Sequence, residues 1–303
     1  MRLITRSDFD GLACGAVLKE LGVIDHWKFV HPKDMQDGIV EITDQDVLAN
    51  VPYVEGCGMW FDHHSSETAR LLEAGVQYKG MSRLEDSAAR VIFEYYDGKN
   101  KLPQMETMMK AVDKVDSGKM TAEEILSPEG WVLLGFIMDP RTGLGRFRDF
   151  TISNYQLMEL LIDECAKSDI DTILALPDVQ ERVKLYFEQD ALFKEMVKKH
   201  TWIDGNVIVT DLRGVETIYT GNRFLVYSLY PEQNVSCWVV DGRGKVNCPI
   251  AIGYSILNRT CNADVGALCL KYGGGGHKQV GTCQVPYEDY ETVIKEIVAA
   301  LKG

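Results

Sequence analysis

No apolar run in the sequence approaches the ~20 residues that a membrane-spanning helix needs. The amino terminus, Met1 to Arg6, leads into Ser7 and Asp8 without an apolar signal segment, so a cytoplasmic protein with no membrane contact is expected. The eight cysteines (Cys14, Cys57, Cys165, Cys237, Cys248, Cys261, Cys269 and Cys283) include no Cys-x-x-Cys pair. That absence excludes a zinc knuckle, and in a chain of this size the scatter argues against a disulfide framework and for small core residues. Positive charge is scarce. The net charge of −13 makes most of the surface repel polyanions, which excludes a general nucleic-acid coat and requires a local basic site for any anionic substrate. Internal repeats and low-complexity segments are missing too.

What is present suits a globular protein of two domains. The 303 residues are 46% hydrophobic and 25% charged, enough for two separate cores. Short apolar strands are expected at residues 2–5, 27–30, 39–43 and 59–61, alternating with helices at 12–21 and from Ser66 onward. Strands that alternate with helices imply an α/β fold with a parallel sheet. Further helical patterns cover 86–96, 105–112 and 131–138, before a glycine- and arginine-rich loop at 139–148. A long helix opens at Pro177-Asp178 and ends near His200. Beyond it the texture turns to strands at 207–210, 224–229, 235–240 and 251–254, a helix at 264–272 and a final helix at about 287–301. The expected division is residues 1–176, a linker helix at 177–200, and a smaller α/β domain at 201–303.

The chemistry-bearing residues fall where such a sheet places ligands. Residues 59–64 read Met-Trp-Phe-Asp62-His63-His64, an apolar strand that delivers one carboxylate and two imidazoles to its carboxyl end. That donor set suits Mn²⁺, Fe²⁺ or Zn²⁺. Asp8 and Asp10 follow the first expected strand and Asp44 the third, so all three clusters should meet at one sheet edge. Asp113 and Asp116, three residues apart, can share one helix face. Between Asp241 and Gly281 the sequence has five basic residues and two acids, a local positive field. There Gly273 to Gly276 can curl backbone N–H groups around an anion, with His277 and Lys278 beside them. A carboxylate–histidine cluster and a basic glycine-rich surface together describe a metal-dependent phosphoryl hydrolase, in which two metals about 3.5–4 Å apart activate water.

Taken together, the turn Asp8-Phe9-Asp10-Gly11, then Asp44, Asp62-His63-His64, the Asp113 to Asp116 patch and the late Gly-Gly-Gly-Gly-His277 resemble the DHH phosphoesterase superfamily with its DHH-associated C-terminal domain. The likeness covers nearly the whole chain. It is strongest to the exopolyphosphatase-related branch and to oligoribonucleases that also act as 3′-phosphoadenosine-phosphate phosphatases, with RecJ exonucleases and family II pyrophosphatases more distant. The resemblance implies one or two divalent ions, Mn²⁺, Mg²⁺ or another. It implies that Asp8 serves one ion and Asp10 the other, that Asp44 bridges them, and that His63 ligates the second. Asp113 would complete the second ion's set of ligands, with Asp116 the competing choice. His64 would lie beside the substrate phosphate, Asp62 would orient the histidines, and Arg259, Gly273, Gly274, Gly275, Gly276 and His277 would bind the substrate's phosphate or nucleotide end.

One departure concerns the first motif. The family pattern His-x-Asp-x-Asp is here Arg6-Ser7-Asp8-Phe9-Asp10, and an arginine has no lone pair to give a metal. Two readings follow. The first is a hydrolase of a short oligoribonucleotide, 3′-phosphoadenosine phosphate or short polyphosphate, with Arg6 in the working site and a homodimer compatible with the family. The second is a nucleotide- or polyphosphate-binding protein in which Arg6 has weakened catalysis.

Overall fold

The computed structural model describes residues 1–302, apart from the side chains of Gln36 and Ser66. It divides into two compact units, Met1–Lys119 with Pro128–Leu185, and Met120–Ser127 with Tyr186–Gly303. The long helix Pro177–Lys199 carries the chain from one to the other, and the boundary falls inside it. The excursion of Met120–Ser127 into the second unit has no signature in the sequence reading.

The first unit is built on five strands, β1 (Arg2–Arg6), β2 (His26–Val30), β3 (Asp46–Ala49), β4 (Met59–Asp62) and β5 (Gly80–Ser82), in the order β2-β1-β3-β4-β5. All neighbours are parallel, as the alternation of strands and helices predicts. Every residue of β3 and β4 is buried, because helices cover both faces. Successive side chains of β4 enter opposite layers: Trp60 joins Ile4, Leu48, Val51 and Leu71, while Phe61 meets Tyr95 and Tyr96. Truncating Trp60 to alanine would cost about 3–5 kcal/mol.

The expected strand at residues 39–43 does not form. Ile39 is 70% exposed, and the strand that pairs with β1 lies a few residues later, Leu3 beside Val47 and Ile4 beside Leu48. Both stretches are short apolar runs, and local pattern does not separate them; burial of Val47, Leu48 and Ala49 on both faces decides. Asp44 thus precedes β3, at the amino edge of the sheet, and Asn50 takes the position after it.

The second unit holds six strands, β6 (Thr201–Asp204), β7 (Val207–Asp211), β8 (Val235–Val239), β9 (Asn247–Tyr254), β10 (Gly275–His277) and β11 (Val280–Pro286), in the order β10-β11-β9-β8-β7-β6. Only β7 and β8 run parallel. β11 alternates exposed and buried residues, since one face packs on the helices Val265–Leu270 and Tyr290–Leu301 and the other does not. The expected strand at 224–229 is instead the short helix Leu225–Leu229, started by Asn222, whose Oδ1 accepts the Phe224 N–H. Seven of the eight cysteines are buried and all are free thiols. Among the described residues no helix is long and apolar enough to cross a membrane.

Candidate functional site

The site in the first unit begins with a sharp turn out of β1. Asp8 has an extended backbone and caps the helix Phe9–Glu20, its Oδ1 accepting the Gly11 N–H at 2.9 Å. Gly11 is required there, because a Cβ would lie 2.0 Å from the Arg6 carbonyl oxygen. The first three turns of this helix are buried all round, so the first-turn Asp10 is carried inward with them, 1% exposed.

Asp10 meets a second helix end on. Its Oδ1 and Oδ2 accept the N–H groups of Ala89 at 2.8 Å and Ala88 at 3.0 Å, two of the donors the helix Ala88–Tyr95 leaves unmade. Burial, with Asp116 and Asp8 nearby, nonetheless pushes the Asp10 carboxyl up to about 7, although His63 and the Ala89 N–H oppose the rise. Asp116, the last residue of the helix Glu106–Asp116, is raised as well, with burial the main cause.

At the end of β4 the two histidines divide. His63 Nδ1 lies 3.1 Å from the Glu85 carbonyl oxygen. A carbonyl only accepts, so Nδ1 carries a proton and Nε2 is left facing Asp116 Oδ2 at 3.3 Å and Asp10 Oδ2 at 4.0 Å. His64 Nδ1 is 2.8 Å from Asp62 Oδ1, and the Asp62 side chain is wholly buried. Burial, the largest single influence, disfavours the His64 imidazolium, but the Asp62 hydrogen bond and the negative charges of Asp62 and Asp116 together outweigh it and raise the His64 pKa.

These positions fit a divalent cation. Ligand atoms of Asp10, His63 and Asp116 all lie within 4.8 Å of one another. Donors about 2.0–2.2 Å from one ion stand about 3–4.4 Å apart, which covers the separations around His63 Nε2. Two raised carboxyls facing one imidazole nitrogen are groups that a cation would relieve. Asp62 Oδ2 and Asn50 Oδ1 are, moreover, buried acceptors with no hydrogen-bond partner among the described residues. The carbonyl behind His63 is the support that metal-binding imidazoles need to fix their tautomer.

Of the residues expected in the site, the structure gathers Arg6, Asp8, Asp10, Asp62, His63, His64 and Asp116. It does not gather Asp44, which is exposed at the opposite edge, its Oδ1 accepting from Gln45. Nor does it gather Asp113, whose carboxylate accepts from Ser87 Oγ at 2.7 Å and forms an ion pair with Arg90 at 2.7 Å. Asn50 was missed with the strand that carries it: its Nδ2 donates to Asp8 Oδ1 at 3.2 Å. Arg141, in the loop after the helix Gly130–Met138, pairs with Asp139 and lies in the fields of Asp8 and Asp116.

The remaining expected residues belong to the second unit. Gly273, at φ +72°, and Gly274 donate their N–H groups to Leu270 and Cys269, closing the helix Val265–Leu270. A Cβ on Gly274 or Gly276 would strike the Thr282 or Val280 carbonyl of β11 at 2.0 or 2.2 Å, so close strand packing alone demands glycine at both. Gly275 has open space about it, His277 is half-buried, and Arg259 is exposed with Nε donating to the Ile256 carbonyl.

No protein-family model matches the sequence, and no curated protein matches it. Among solved structures, the pGpG-specific phosphodiesterase PggH from Vibrio cholerae is 46% identical over 99% of this chain and 98% of its own, with a TM-score of 0.84. An exopolyphosphatase-related protein from Bacteroides fragilis is 12% identical over 99% of this chain and 92% of its own, with a TM-score of 0.53, a likeness of fold.

Proposed function

Because the chain belongs to the DHH phosphoesterase superfamily and is a phosphohydrolase, we propose that it cleaves the single phosphodiester of a short 5′-phosphorylated diribonucleotide such as pGpG. Water adds across the bond, and two nucleoside 5′-monophosphates leave. The observation that carries the reading is the convergence of Asp10, His63 and Asp116 at the carboxyl edge of the sheet. The 46% identity to PggH supports the substrate class.

In this reading Asp10, His63 and Asp116 hold a divalent ion, Mn²⁺ or Mg²⁺. When bound, such an ion acidifies water and offsets phosphate charge. The chain's own residues do the rest. Asp62 holds the His64 ring through Nδ1, and the raised pKa favours the imidazolium, so His64 donates a proton toward a phosphate oxygen. Arg6 and Arg141 draw the phosphate to an edge otherwise lined with acids. In the second unit, Arg259, the open Gly275 and His277 are assigned to the substrate's terminal phosphate or base. An acidic chain suits a small ligand better than a long polyanion. All eight cysteines are thiols, the state a reducing compartment maintains, and a cytoplasmic location is proposed on that ground.

The test is hydrolysis by Mn²⁺-loaded protein of pGpG, pApA, 3′-phosphoadenosine phosphate and short polyphosphate, resolved by chromatography. Cleavage of the dinucleotides to mononucleotides is expected, pGpG fastest. Release of inorganic phosphate from the other two substrates, with the dinucleotides intact, would overturn the assignment.

A further inference from the structure

The carboxyl edge of the first sheet has two lobes, and only one is open to a cation. Around His63 the carboxylates of Asp10 and Asp116 converge. Three donors hold the Asp8 carboxylate, whose charge also reaches Asp10 and Asp116: Gly11 N–H and Asn50 Nδ2 reach Oδ1 at 2.9 and 3.2 Å, and Arg6 Nε reaches Oδ2 at 3.1 Å. Two ions about 3.5–4 Å apart repel each other, and a carboxylate placed between them offsets that repulsion. The strand end that could supply one, after β3, carries Asn50, a neutral amide whose Nδ2 is turned to Asp8. The Arg6 guanidinium stays protonated and has no lone pair, so an ion at Asp8 would sit against a fixed positive charge. That charge acts on Asp116 and His64 as well.

We infer that the centre holds one divalent ion, on Asp10, His63 and Asp116, and that Arg6, anchored by Asp8, supplies to the substrate phosphate the second positive charge. Asp8 is thereby a positioning residue for a guanidinium rather than a metal ligand. Asn50 fixes Asp8 from the other side without adding the negative charge that would recruit another ion. The inference rests on the metal-dependent reading above and narrows it, since a guanidinium directs donors at phosphate oxygens but does not acidify water.

The test counts ions. Metal-stripped full-length protein is titrated with Mn²⁺ by calorimetry, and the loaded protein is assayed for manganese and examined by electron paramagnetic resonance. One ion per chain with the spectrum of isolated Mn²⁺ is expected. Two ions with a spin-coupled spectrum would overturn the inference while leaving the phosphodiesterase reading intact; no bound ion together with no hydrolysis would remove both. The double variant Arg6→His with Asn50→Asp should bind a second ion and become spin-coupled. If it unfolds cooperatively like the parent and still binds one, Arg6 and Asn50 are not what excludes the second. Arg6→Gln, which adds no ligand, should keep one ion and lose about 10²-fold in kcat/KM for pGpG, partly regained in Arg6→Lys. Unchanged kcat/KM in Arg6→Gln would overturn the role given to Arg6.

Discussion

β1 has an arginine at each end, and each binds an aspartate, yet the two ends of the sheet behave in opposite ways. At the amino edge Arg2 grips the buried Asp46 with two bonds of 2.6 and 2.9 Å, and the Thr43 N–H adds a third at 2.7 Å. Burial alone would raise Asp46, but these donors win and hold it below the usual carboxylate range. At the carboxyl edge Asp10 is just as buried and accepts two N–H groups, yet it is pushed up to about 7. Burial is the largest cause of the rise at Asp10, and the company decides whether it is offset: Asp46 has a cation to itself, whereas Asp10 shares its surroundings with Asp116 and Asp8, and Arg6 is bound to Asp8. An acid satisfied by its own chain is architecture. An acid raised by its neighbours waits for a ligand.

That contrast should survive substitution, and the largest effect is expected at the strained end. Asp116→Asn removes an anionic donor facing His63 and should lower kcat/KM by about 10³-fold, several kcal/mol of transition-state stabilisation, with Mn²⁺ affinity falling in parallel. Steady-state kinetics at saturating Mn²⁺ and calorimetry check it. Normal metal affinity in this variant would mean that the acids at this edge are as structural as Asp46.

Arg2→Ala should do the reverse. It leaves Asp46 buried with its main partner gone, at a cost of about 1–3 kcal/mol, Arg2 itself being partly exposed. Urea unfolding should show the loss, with the Mn²⁺ count and kcat/KM of the folded protein unaltered. Asp113→Asn belongs with it despite standing one helical turn from Asp116. It weakens the Arg90 pair by about 1–2 kcal/mol, and metal stoichiometry stays the same. A loss of bound ion in Asp113→Asn would return that residue to the site.

How much of this was legible in the sequence depended on what local pattern can resolve. The parallel sheet and the Asp62-His63-His64 triplet at the carboxyl end of one of its strands followed from an apolar strand running into polar residues, and the solved relatives bear out the DHH resemblance and the fold. Asp44 failed because two short apolar stretches compete for one strand, and only contacts with β1 and β4, distant in sequence, choose between them. The same choice hid Asn50. Asp113 is preferred over Asp116 on sequence because it directly follows the apolar helix pattern, but both lie near the end of one helix; what separates them is Arg90, supplied by another helix, which pairs with the first. The glycine run read as an anion nest because φ freedom is a property of the residue, while the β11 carbonyls that require glycine are not visible in the run itself.

The smallest expected effect is in the pH dependence of the amino edge, where the sign follows from Asp46. Its folded pKa lies below the unfolded value of about 3.9, so the folded state binds fewer protons there. The bridge to Arg2 therefore contributes fully above about pH 4, and the contribution is lost as pH falls through the folded value. The stability difference between the wild-type chain and Arg2→Ala should accordingly be flat from about pH 5 to pH 7 and shrink below about pH 4. Urea titrations of both metal-free proteins across that range measure it, and taking the difference cancels the carboxylates that the two chains share. A difference that held its full size below the folded pKa would mean that Arg2 stabilises through its packed methylenes, not through charge. In that case the amino edge would no longer be the satisfied counterpart of the carboxyl edge, and the contrast would rest on Asp10 alone.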